Sequence, residues 1–127
     1  IVTVACVRTL AAIARNDFEG VQAVLALLRS NDPQVRYAAV CAVPSLKQAQ
    51  PGAKALILIA QADPVPKTRL AAITALVSIA DADNRASIKA CLDGLTLDRD
   101  PVVRQAAETA LEALPKKLGR PEERDAP

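Results

Sequence analysis

Apolar residues recur three and four places apart along most of this chain, in runs separated by short polar breaks. That spacing holds apolar side chains on one face of an α-helix and predicts helices, not strands. Seven stretches follow the pattern. The first, over about 4–14, carries Val4, Val7, Leu10 and Ile13. Asn16-Asp17 breaks it, and a second runs to about Arg29 with Phe18, Val21, Val24, Leu25 and Leu28 in one stripe. A third is expected from Pro33 to about Lys47, with a bend or an early end at Pro44. An interior proline removes a backbone hydrogen bond and crowds the preceding turn, at a cost of about 3 kcal/mol. Pro51-Gly52 opens a fourth, whose Leu56, Ile57, Leu58 and Ile59 read as apolar nearly all round and therefore buried. The fifth, Lys67 to Ala80, has Leu70, Ile73, Leu76, Val77 and Ile79 as its core set. The sixth presents Ile88, Leu92 and Leu95, and the seventh runs from Pro101 to Leu114.

Three of these runs are preceded by the same dipeptide, at Asp32-Pro33, Asp63-Pro64 and Asp100-Pro101. Aspartate at the N-cap accepts a hydrogen bond from an orphaned backbone N–H, and its charge suits the positive helix end. Proline at the first helical position loses nothing, because its missing N–H would have had no partner there. Each dipeptide is followed by an arginine and paired alanines: Arg36 with Ala38-Ala39, Arg69 with Ala71-Ala72, Arg104 with Ala106-Ala107. Arg69 comes two places later than its counterparts, which predicts a two-residue insertion at Val65-Pro66. Steps of 28, 33 and 35 residues separate Arg8, Arg36, Arg69 and Arg104. A start signal recurring at such a period marks stacked helical units, none of which can bury its apolar stripe alone.

The strings Asp32-Pro-Gln-Val-Arg36-Tyr-Ala-Ala39 and Asp100-Pro-Val-Val-Arg104-Gln-Ala-Ala107 resemble the second-helix motif of HEAT repeats in their short form. Val7-Arg8 with Ala11, and Arg69-Leu-Ala-Ala72, look like looser copies. The resemblance implies an all-α chain, an α-solenoid of antiparallel helix pairs related to the armadillo-like folds. About three and a half such units would cover residues 1–114, with 115–127 as a polar tail. In that family the acid and the arginine bond between neighbouring units. By resemblance this role falls to Asp32, Arg36, Asp63, Arg69, Asp100 and Arg104, and also to Arg8. Anion binding is the other use for such arginines.

Composition narrows the chemistry. The chain is 51% hydrophobic but only 2% aromatic, which suits close helix-on-helix packing by small side chains. With no His, it lacks the commonest metal ligand and the commonest general base. Cys6, Cys41 and Cys91 are far apart, form no Cys-x-x-Cys pair, and are expected to act as small buried hydrophobes in a reducing, intracellular compartment. Ser45, Ser78 and Ser87 have no base beside them, and the four glycines form no phosphate-cradling loop. Net charge is +2, which points to neither a polyanion nor a membrane surface, and no apolar run is long enough to span a bilayer. Glu108 and Glu112 fit a solvated outer face on a terminal unit better than an acid–base pair. The uncapped start at Ile1 and the lack of Met read as a piece of a longer chain.

These readings converge on a non-enzymatic scaffold or peripheral subunit of a larger complex, with no cofactor. It is expected to hold a protein partner on the concave face made by the second helices. Tyr37, Lys47, Thr74, Ser78, Gln105 and Thr109 are the candidate contacts. Two alternatives stand beside it. Short HEAT-like repeats also occur in phycobilin lyases, which implies chromophore attachment or a chaperone subunit. Helical arrays lined by Lys and Arg also hold nucleic acid, but the near absence of stacking aromatics weighs against that here.

Overall fold

The computed structural model describes residues 18–45 and 52–117. The predicted first helix, with Cys6 and Arg8, lies outside the described residues, as do Lys47 and residues 118–127. Among the described residues the chain is helical, with no strand. The helices are α1 (Phe18–Leu27), α2 (Pro33–Ala42), α3 (Gly52–Ala62), α4 (Pro66–Ile79), α5 (Arg85–Leu95) and α6 (Pro101–Lys117). A 3-10 turn over Val43–Ser45 follows α2.

Local chemistry sets the boundaries. α1 closes through tight bonds from the N–H groups of Leu28, Arg29 and Ser30 to the carbonyls three residues back. Asp32 caps α2 in an extended conformation, its side chain accepting the Gln34 N–H at 2.9 Å, with Pro33 at the first helical position. α2 then stops early. Pro44 has no N–H for the Val40 carbonyl, and the helix tightens into the 3-10 turn. The predicted extension to Lys47 is thus cut short by the proline.

Gly52 opens α3 at a close approach. A Cβ there would meet Val43 Cγ1 at 3.0 Å and Leu25 Cδ2 at 3.1 Å, so the helix start sits directly on the preceding pair. α3 is not apolar all round in effect: Ala53, Leu56, Ile59 and Ala60 are buried, whereas Leu58 is 58% exposed. In α4 the inward row is Ala72, Ile73, Ala75, Leu76 and Ile79. Leu70 and Val77, expected in its core, are only half-buried because α4 turns that edge outward. α5 buries Ile88, Leu92 and Leu95 as its spacing predicts, with Cys91 among them. α6 runs through Pro115 to Lys117, three residues past the predicted boundary.

Packing follows chain order. α1 lies on α2, α3 on α4, and α5 on α6. Across these pairs α2 touches α4, α4 touches α6, and α3 touches α5. The second helices thus meet in series, α2 to α4 to α6, and α3 meets α5. α4 has neighbours on both sides as well as its partner, which is why it buries more residues than any other helix. One continuous apolar core joins Leu28 to Leu114, and a smaller cluster holds Val21 and Val24 against Leu25 and Ala42. No described helix is long and apolar enough to cross a membrane.

Candidate functional site

The polar side chains that the fold buries converge at the junctions between pairs. Asp63, Thr68 and Arg69 are all buried, Arg69 at 2% exposure. From the start of α4, Arg69 aims its guanidinium at the loop that enters α6. Its Nε donates to Asp98 Oδ2 at 3.0 Å and its Nη2 to Asp98 Oδ1 at 3.0 Å. Its Nη1 donates to the Asp63 carbonyl at 2.7 Å. Arg36 repeats the arrangement one pair earlier, with Nε on Asp63 Oδ2 at 2.8 Å and Nη1 on the Ser30 carbonyl at 2.8 Å. Each arginine thus ties its own loop to the carboxylate of the pair that follows. The fork geometry explains the choice of residue, since a lysine offers no second parallel donor.

Arg104 holds its own loop in the same way, Nη1 on the Asp98 carbonyl at 2.7 Å. In all three cases the accepting carbonyl lies six residues ahead of the arginine, on Ser30, Asp63 and Asp98. The side chains at these positions also accept an N–H from two residues on: Ser30 from Asp32 at 3.1 Å, Asp63 from Val65 at 2.9 Å, Asp98 from Asp100 at 2.8 Å. The N-cap comes four residues before the arginine, at Asp32, Val65 and Asp100.

This register corrects the prediction in three places. Asp63-Pro64 is not the counterpart of Asp32-Pro33; Val65-Pro66 is, and there is no insertion. Asp32 and Asp100 act within their own helices, Asp100 Oδ1 accepting the Val102 and Val103 N–H groups at 2.8 and 3.3 Å. Their assignment to bonds between units fails: among the described residues neither of these cap carboxylates bonds to another pair, whereas Asp63 and Asp98 combine a local N–H with an arginine from the pair before. Asp98, which the Asp-Pro pattern passes over, is the second acceptor between pairs. Burial pushes the Asp98 carboxyl up, but the Arg69 and Asp100 hydrogen bonds and the Arg69 and Arg99 charges outweigh it, holding the group below its ordinary value.

The candidate contacts share a different surface. Tyr37 on α2 is half-buried, with Lys67 Nζ from the start of α4 4.5 Å from its ring centroid, a cation–π contact across pairs. Cys41 one turn on pushes the Tyr37 phenol above its usual range, first through the negative charge of its thiolate form and then through a hydrogen bond, with burial last. Cys41 itself is exposed, against the expectation of burial. Cys91 is buried, and burial pushes its thiol up to about 11. Thr74 and Thr109 are exposed, their hydroxyls turned back toward the carbonyls of Leu70 and Gln105 at 3.5 and 3.1 Å. Ser78 and Gln105 are exposed as well. Shifted onto the arginine register, Cys41, Thr74 and Thr109 coincide, as do Tyr37, Leu70 and Gln105, so these positions form rows running across α2, α4 and α6.

No group of three or more His, Cys, Asp or Glu able to hold a metal ion occurs among the described residues. The chain matches no protein family, no curated protein and no solved structure in comparisons of each kind.

Proposed function

We propose that this chain is a stretch of α-solenoid, built of HEAT-like antiparallel helix pairs, that serves as a non-enzymatic scaffold for a protein partner. The supporting observation is the arginine ladder. Arg36 and Arg69 each reach a carboxylate of the following pair, and the core runs on without a break beneath them. Linkers of three to five residues between α3, α4, α5 and α6 leave room only for a reversal of direction, which favours antiparallel neighbours. The buried charged residues are consumed in joining pairs, so the chemistry on offer lies on the second-helix face. That face carries small hydroxyls, Tyr37 and Lys67, groups suited to hydrogen bonding and stacking with a polypeptide surface.

A photo-crosslinking amino acid at Thr74 or Thr109, compared with one at Lys54 or Lys89 on the first helices, tests this in the native source. The reading expects one protein to be captured from the second-helix positions and lost when unlabelled chain competes. Capture from both faces alike, or only of RNA or DNA, would refute it.

A further inference from the structure

On the arginine register, Val40, Ile73 and Glu108 occupy one position, and Val43, Leu76 and Leu111 another on the same face. Val40, Val43, Ile73 and Leu76 are buried where successive pairs meet. On α6 the row is open: Pro101 and Glu108 are exposed, and Arg104 and Leu111 are half-buried. Spacings of three, four and three residues hold Pro101, Arg104, Glu108 and Leu111 on one helix face. Arg36 and Arg69 spend their Nε edge on a carboxylate, but Arg104, among the described residues, bonds only the Asp98 carbonyl. The ion pairs among the described residues are Arg36–Asp63, Arg69–Asp98 and Lys89–Asp93, so Glu108, one turn beyond Arg104, is not bonded to it. A base one turn ahead of an acid is the weaker order for pairing along a helix. Stacking another apolar pair here would bury the Glu108 charge against hydrocarbon, which is costly. The face calls for an occupant that brings a carboxylate to Arg104 and a base to Glu108.

We propose that this row docks on the same row of a second copy of the chain, the two α6 helices lying antiparallel about a two-fold axis. An isologous contact needs a surface complementary to itself. The α6 row meets that demand about a single centre, because Arg104 and Glu108 share their midpoint with Pro101 and Leu111. An antiparallel pair centred there sets each Arg104 against Glu108 of the second copy, and each Leu111 against Pro101 of the second copy. Both charges are answered at once, and the apolar ends cover each other. The corresponding rows of α2 and α4, with Val40 and Ile73 in place of the acid, have no such order. A contact along one helix is small, so the dimer is reversible, in the micromolar range or weaker. Thr109 is turned about 100° away from Glu108 around the helix, so the contact does not depend on what the second-helix face binds.

Sedimentation equilibrium of the full chain over a range of concentrations tests this, with Glu108→Arg, Arg104→Glu, their equimolar mixture and Thr109→Arg. The native chain is expected to pass from monomer to dimer as concentration rises. Glu108→Arg should weaken the dimer by at least about 100-fold, since both ion pairs become repulsions. Arg104→Glu should do the same, and mixing the two should restore a dimer, because each then supplies the charges the other lacks. Thr109→Arg, off the row, should leave the native equilibrium in place. Glu108→Arg changes an exposed side chain, so it decides the matter alone if Arg104→Glu loosens the start of α6. A native chain that stays monomeric would assign the face to solvent or to another protein and overturn the proposal. So would a dimer unmoved by Glu108→Arg, folded variants that stay monomeric when mixed, or an equal loss in Thr109→Arg.

Discussion

Arg69→Met removes the most deeply placed ladder arginine while keeping most of its packing volume. The Arg69 and Asp98 side chains are 3% and 8% exposed, so the variant leaves a carboxylate in a dry site without its counter-charge. Losing one partner of a buried pair typically costs 3–5 kcal/mol, against about 0–1 for an exposed pair such as Lys89–Asp93. Asp98 keeps the Asp100 N–H, which places the expected loss near the lower end, about 3 kcal/mol. Urea unfolding followed by circular dichroism reads it. Arg69→Met/Asp98→Asn should recover much of the loss, because the orphaned charge is gone and the amide oxygen can still accept from Asp100. The pH dependence follows from the direction of the Asp98 shift. A carboxyl held below its ordinary value contributes fully above the unfolded pKa of about 4, and that contribution disappears as pH falls through the folded value. In Arg69→Met, burial pushes Asp98 up without the guanidinium to oppose it. The gap between native and variant should therefore narrow in acid. A loss under about 1 kcal/mol at neutral pH, or a double variant no more stable than the single, would refute a stabilising ladder.

Other consequences can be checked separately. Leu76→Ala, at a fully buried position of the central helix, should cost about 2–5 kcal/mol by urea titration and loosen the neighbouring pairs with it; a loss confined to α4 in hydrogen exchange would contradict shared stability. Val65 is the one N-cap of the ladder loops with no side-chain bond, so the near-isosteric Val65→Thr should stabilise by about 0.5–1 kcal/mol, whereas Asp100→Ala should lose about 1. A disulfide reagent at mildly alkaline pH should modify Cys41 in the folded chain and reach Cys91 only on unfolding; comparable rates at the two sites, resolved by mass spectrometry, would speak against the burial of α5.

Much of the helical order is legible in the sequence because apolar spacing and start signals act locally. Ile88, Leu92 and Leu95 point inward as their spacing requires, and Pro44 ends α2 where an interior proline should. Less legible is anything decided by a neighbour. Leu58 belongs to an unbroken apolar run, yet the arrangement of α4 and α5 around α3 leaves it in solvent. Alignment on Asp-Pro puts the middle unit two residues out of register, because this most visible dipeptide performs two different tasks. In Asp32-Pro33 and Asp100-Pro101 the acid caps a helix, while in Asp63-Pro64 it faces the preceding arginine. Aligning on Arg36, Arg69 and Arg104 removes the ambiguity. Pro33, Pro66 and Pro101 then fall three places ahead of the arginine with no gap, and Ser30, Asp63 and Asp98 fall six ahead. That signal was present in the chain, carried by the fixed distance to the arginine. The exposed position of Cys41 was legible in the same way, since it stands five residues after Arg36, as the exposed Thr74 and Thr109 stand after Arg69 and Arg104.

The most direct test of the stack is methyl NOE spectroscopy on the Ile, Leu and Val side chains of the full chain. Stacked pairs predict cross-peaks linking α2 with α4, α4 with α6, and α3 with α5. Cross-peaks joining α2 to α6, or their absence between α3 and α5, would mean that the helices close into a globule instead of following one another along an axis.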